Sequence, residues 1–103
     1  MSAGYHTSWT IPEAHRVDPA YVEAGAAIAL GQAVYDRRIA LGLDHATLAE
    51  RTGLSLDDIE RLEGGGTPPT LPLLRTLSAA LDAKLDMSVE SDDTHVSFVP
   101  HAA

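Results

Sequence analysis

The run from Asp44 to Gly64 leaves this chain few ways to fold. Asp44 has the short oxygen-bearing side chain that closes a helix N-terminus, and a short helix can follow it through about Arg51. Thr52-Gly53 then supplies a turn. Ser55 opens a second start, with Asp58 three residues on, the spacing at which two residues of a capping box satisfy each other's backbone N–H groups. Leu48 and Ala49 in the first segment, and Ile59 and Leu62 in the second, are the apolar residues placed to face inward. The spacing therefore predicts two short helices, 45–51 and 56–63, joined by a tight turn at Gly53.

The flanks extend this pattern. Asp18-Pro19 reads as a helix start, a capping side chain before proline at the first helical position. From Ala20 to about Leu41 the residues Val22, Ala26, Leu30, Val34 and Leu41 recur near one face, and Gly42 supplies the stop. Gly25 and Gly31 weaken the interior, with a break near Gly25 possible. Gly64-Gly65-Gly66-Thr67-Pro68-Pro69 is a loop by composition. Thr70 caps a fourth helix that carries Leu71, Leu74, Leu77 and Leu81 to about Ala83. Leu85, Met87 and Val89 then alternate with polar residues, as do Val96 and Phe98 beyond Ser91-Asp92-Asp93, which predicts a β-hairpin. A lone hairpin is marginal in water, so it needs a surface, either the helices or the same hairpin of another subunit. Residues 1–17 lack helical periodicity and hold Tyr5, Trp9 and Ile11. The chain divides into an arm (1–17), a helical domain (18–83) and a β extension (84–103), and the fold class is mainly α.

Composition excludes several functions. The chain of 103 residues suits one domain with appendages and contains no cysteine, which removes disulfides, thiol catalysis and Cys-based zinc sites and suits the cytoplasm. No apolar stretch is long enough for a membrane span, and the N-terminus does not read as a secretory signal. Histidines 6, 15, 45, 95 and 101 show no ligand spacing, so no metal is expected. The glycine triplet does not follow a strand and reads as a linker, not a phosphate cradle. No catalytic constellation is visible; neither an enzyme nor a cofactor is expected. The formal net charge is −8, of which residues 81–103 carry half, with Lys84 against Asp82, Asp86, Glu90, Asp92 and Asp93.

The run Leu43–Gly64 and its continuation Pro69–Leu77 together resemble the Xre/Cro-type helix-turn-helix family, over about residues 30–83. The resemblance implies a lambda-repressor-like bundle of about five helices, here with a short C-terminal β-hairpin, whose third helix enters the DNA major groove. Carried over by position, it makes Leu56, Asp57 and Arg61 the base-edge candidates. Arg61 has the fork for guanine, Asp57 an acceptor for a cytosine amino group, and Leu56 apolar contact for a thymine methyl. It gives His45 a phosphate contact at the start of the second helix, and adds Thr47, Ser55 and Glu60 to the DNA-facing set. It also implies a half-buried ion pair between Arg38 and Glu63. The family pattern is broken by Asp57, Asp58 and Glu60 in the third helix, since carboxylates face phosphates badly, and by a loop 64–70 without lysine. Weak, salt-dependent binding by a monomer is therefore expected, with affinity supplied by a homodimer or a partner.

The implied function is a DNA-binding transcriptional repressor acting on a double-stranded operator. Its short flanks resemble those of HigA-type antitoxins, which bind a toxin and repress the toxin–antitoxin operon. Tyr5 and Trp9 are then the candidate partner-binding residues. The acidic hairpin would complement a small basic toxin. The alternatives are a stand-alone transcription factor of the Xre family and a protein-interaction module that has lost DNA binding.

Overall fold

The computed structural model describes residues 19–101. The arm carrying Tyr5 and Trp9, and the capping residue Asp18, lie outside the described residues. Four helices and a two-stranded antiparallel sheet follow in order: α1 (Pro19–Ala40), α2 (His45–Thr52), α3 (Leu56–Glu63), α4 (Leu71–Ala80), β1 (Ala83–Glu90) and β2 (Asp93–Pro100). The core is built from Leu30, Val34, Leu48, Ile59, Leu62, Leu77, Ala80 and Leu81, so every helix contributes to one apolar centre. No described helix is long and apolar enough to cross a membrane.

Local chemistry sets the helix ends. The Asp44 carboxylate accepts the Thr47 N–H at 2.8 Å, and Gly53, at φ +77°, ends α2 in the left-handed conformation that glycine adopts without strain. At α3 the capping box is closed in both directions between Ser55 and Asp58. Thr70 caps α4 by accepting the Leu73 N–H.

The sequence expectations need correction in several places. Four helices are described, not about five. Asp82 sits at φ +50°, and the chain turns at once into β1 at Ala83, so α4 stops at Ala80 and no further helix follows it. Helix α1 runs unbroken through Gly25. Leu41 and Leu71, expected on core faces, are exposed, because α1 and α4 rotate other residues inward. On α1 these are Ala27, Leu30, Ala33, Val34 and Arg38, which wrap more than one side because α1 is covered by α3 and by the hairpin.

Gly31, read from sequence as a weak point, is where two helices meet most closely. A Cβ there would collide with the Leu62 carbonyl oxygen and approach that of Glu63 to 3.0 Å. The absence of a side chain lets α1 cross the C-terminal end of α3 at backbone contact.

The hairpin packs on α1 of its own chain, mainly through β2. Its register pairs Leu85 with Phe98, Met87 with Val96 and Val89 with Thr94 on the inner face. Leu85, Val96 and Phe98 pack against the core cluster. The surface the hairpin requires is thus supplied within the chain.

Candidate nucleic-acid interface

Helix α3 is amphipathic by position. Ile59 and Leu62 are fully buried, which forces Asp57, Glu60 and Arg61 to the opposite side. Leu56, the first residue of the helix, is 48% exposed and so offers an apolar contact beside the polar residues of this side. Ser55 is used at the N-cap, and Thr47 is half-buried at the start of α2 with its N–H held by Asp44. The exposed ridge is thus Leu56, Asp57, Glu60 and Arg61, presented on a helix whose two ends are fixed.

Arg61 is the cation of this ridge, and it is not idle. Its Nη1 donates to Asp58 Oδ1 at 3.1 Å, a pair in which both side chains are about half exposed. Such an exposed pair is worth little and is readily exchanged for another acceptor. Asp58 accepts from the Ser55 hydroxyl and backbone and from Arg61, which together hold its carboxyl below the usual carboxylate range. Its charge is engaged in the cap, leaving Asp57 and Glu60 as the exposed acids of the helix.

His45 stands at the first position of α2, and its Nε2 lies 3.0 Å from Glu63 Oε1. Glu63 is also bound by Arg38, whose Nε donates to Oε2 at 2.7 Å and Nη2 to Oε1 at 3.0 Å. Arg38 further donates to the Leu43 carbonyl, and its guanidinium carbon lies 5.4 Å from the Tyr35 ring centre. Burial pushes the Glu63 carboxyl up, but the Arg38 and His45 bonds outweigh it and hold the group below its usual value. The Glu63 bond is the main reason the Arg38 guanidinium is raised. Both side chains of the Arg38–Glu63 pair are only 8% exposed. The cluster fastens α1, the start of α2 and the end of α3 together, and so sets the angle at which the two short helices present themselves. The His45 ring is partly exposed and oriented by Glu63, a contact that no local sequence pattern announces.

Other arginines are consumed structurally. Arg51 donates to the Ala80 carbonyl, the last of α4, and Arg37 to the Leu81 and Asp82 carbonyls just beyond it, so two distant side chains hold the chain where it leaves the helix. Sequence reasoning missed this role, for which basic residues remote from the helix they cap leave no periodic signal. Among the described residues no group of three or more His, Cys, Asp or Glu side chains could hold a metal ion.

The helix-turn-helix domain family matches residues 29–88, from the middle of α1 into β1. The chain belongs to the helix-turn-helix domain family. Among solved structures it is similar to the restriction-modification controller protein C.AhdI from Aeromonas hydrophila, at 32% identity and a TM-score of 0.51, over 54% of this chain and 85% of that one. It is also similar to a mutant of the restriction-modification controller protein C.Esp1396I, at 17% identity and a TM-score of 0.53, over 57% of this chain and 79% of that one. The second likeness is one of fold. Within this helix-turn-helix domain, α2 and α3 form the motif.

Proposed function

We infer that the chain is a DNA-binding transcriptional repressor that inserts α3 into the major groove of an operator. The observation that carries this reading is the exposed ridge of Leu56, Asp57, Glu60 and Arg61 on a doubly capped helix of a helix-turn-helix domain. Arg61 exchanges its weak bond to Asp58 for a guanine edge, Leu56 covers a thymine methyl, and Asp57 and Glu60 select against phosphate and for base amino groups. His45, Thr47 and Ser55 lie at the helix starts, where phosphate is received. Controller proteins of restriction–modification systems are regulators by name, which supports the regulatory reading for a chain that shares their fold. A homodimer reads two half-sites about one DNA turn apart.

In its finer form the repressor is the antitoxin of a toxin–antitoxin pair and controls its own operon. The support is the distribution of charge: residues 81–103 carry a net charge of −4, a surface complementary to a small basic toxin. Localisation in the cytoplasm and the absence of enzymatic activity and cofactors accompany this reading.

Titration of a fluorescent duplex from the chain's own upstream region, over a salt series, tests it. Binding is expected to prefer that duplex over random DNA and to weaken steeply with salt. Arg61→Ala should weaken specific binding roughly 5- to 100-fold, the worth of one bidentate base contact. No preference for any promoter fragment, even in dilute buffer, would leave only a protein-docking module. Co-purification with the product of an adjacent gene, or its failure, decides the antitoxin form.

A further inference from the structure

Strand β1 is paired with β2 on one side, and among the described residues no strand pairs its other side. Alternate residues of the strand therefore turn backbone donors and acceptors to the open edge, where the Ala83 carbonyl already accepts from the Ser78 hydroxyl. The inner face grows barer along the strand. Leu85 packs against the core, Met87 is half-buried, and Val89 is 67% exposed. The outer face carries Lys84, Asp86, Ser88 and Glu90. Within the hairpin Glu90 lies opposite Asp93, two like charges whose opposition is unfavourable, while Lys84 lies opposite Val99. Lys84 reaches only along its own strand, to Asp86 at 3.4 Å in solvent.

We propose that β1 pairs antiparallel with β1 of a second copy of this chain, in the register that sets Met87 opposite Met87. This rests on the homodimer reading above and names its seam. In that register Lys84 faces the second copy's Glu90, and by symmetry the ion pair forms twice. Leu85 faces Val89, so the exposed valine gains an apolar neighbour, and Asp86 faces Ser88. Neighbouring registers fail: centring on Asp86 opposes it to itself, and centring on Ser88 opposes Asp86 to Glu90. Strand β2 offers no equivalent, since Asp93 is its one formal charge and Pro100 lacks an N–H. The product is a continuous sheet in the order β2, β1, β1, β2, and the Glu90–Asp93 repulsion is relieved by a lysine from across the seam.

The chain of 103 residues has no cysteine, so Met87→Cys introduces its sole thiol. Directly opposed antiparallel residues have Cα atoms about 4.5–5.5 Å apart, within disulfide reach. Mild oxidation should link most of the Met87→Cys protein into dimers and leave Val96→Cys, on β2, unlinked. In sedimentation, Glu90→Lys and Lys84→Glu should each weaken the dimer roughly tenfold, and the double exchange should restore it. Glu90→Lys also removes the repulsion from Asp93, so the hairpin itself is kept, and circular dichroism checks this. A dimer that neither links through Met87→Cys nor responds to the charge exchange overturns the β1 seam and keeps the homodimer reading. Linking through Val96→Cys in place of Met87→Cys also overturns it. A monomer at every concentration removes both.

Discussion

The helical body and the hairpin are held by different means, although both lean on α1. The body is fastened at points that allow no substitute: a glycine where two backbones touch, and a buried carboxylate shared by Arg38 and His45. The hairpin is held by one apolar face, with Leu85, Met87, Val96 and Phe98 all only partly buried. The contrast teaches that orientation and attachment are separable. The body fixes the pose of α3 against α2, whereas the hairpin is an appendage whose free strand edge remains available. Damage to the body should therefore be global, and damage to the hairpin local.

The largest expected effect is that of Arg38→Met. It leaves the Glu63 carboxylate buried with only the His45 ring as side-chain partner, and a stranded buried charge costs about 3–5 kcal/mol. Thermal melting should show a drop of well over 10 °C for a domain of this size. The pH dependence carries the sign. The Glu63 pKa is lowered in the folded chain, so its contribution is complete above the ordinary glutamate value, near 4.3, and is lost as pH falls through the lower folded value. The stability gap between the native chain and Arg38→Met should thus be widest at neutral pH and shrink below about pH 4. Equal gaps at pH 7 and pH 3 would remove the electrostatic account of the body.

The turn, the caps and the limits of α2 and α3 were legible because capping is a transaction between residues three apart. Asp44, Ser55, Asp58 and Thr70 do in the structure what their spacing requires. The inward faces of α2 and α3 were legible too, since a short helix has few faces to offer. What was not legible depends on distant partners. Leu41 and Leu71 fit their helical stripes but turn outward, because periodicity defines a stripe and not which side of it meets a neighbour. The end of α4 was overrun for a similar reason, as Leu81 continues its stripe although it is only the cap of that helix. In the candidate site, the exposed ridge followed from Ile59 and Leu62 alone. The bond of His45 to Glu63 joins residues 18 apart and needed the fold.

Gly31→Ala is expected to come next, at about 3 kcal/mol. A helix normally gains from this exchange, by up to about 1 kcal/mol. Here the new Cβ meets the carbonyl oxygens of Leu62 and Glu63, which are backbone and cannot rotate away, so α1 and α3 must part. Because the same movement pulls Glu63 from Arg38, the two substitutions should be less than additive when combined. Denaturant titration of the double variant checks this. A neutral or stabilising Gly31→Ala would mean that the body tolerates a wider crossing, and its contrast with the hairpin would fade.

Phe98→Ala should have the smallest effect of the three, about 2 kcal/mol, and a different reach. The ring is partly buried between Leu85 and the core cluster, so its removal forfeits less than the 3–5 kcal/mol of a fully enclosed phenylalanine. Its loss falls on the hairpin's one apolar attachment, while the helix caps and the Arg38–Glu63–His45 cluster remain as they are. Native-state hydrogen exchange should therefore speed up across β1 and β2, and amides of α2 and α3 should keep their protection. Arg38→Met should instead speed exchange everywhere. If Phe98→Ala loosens α2 and α3 in equal measure, hairpin and body open as one cooperative unit, and the hairpin is then part of what orients the candidate DNA-facing helix.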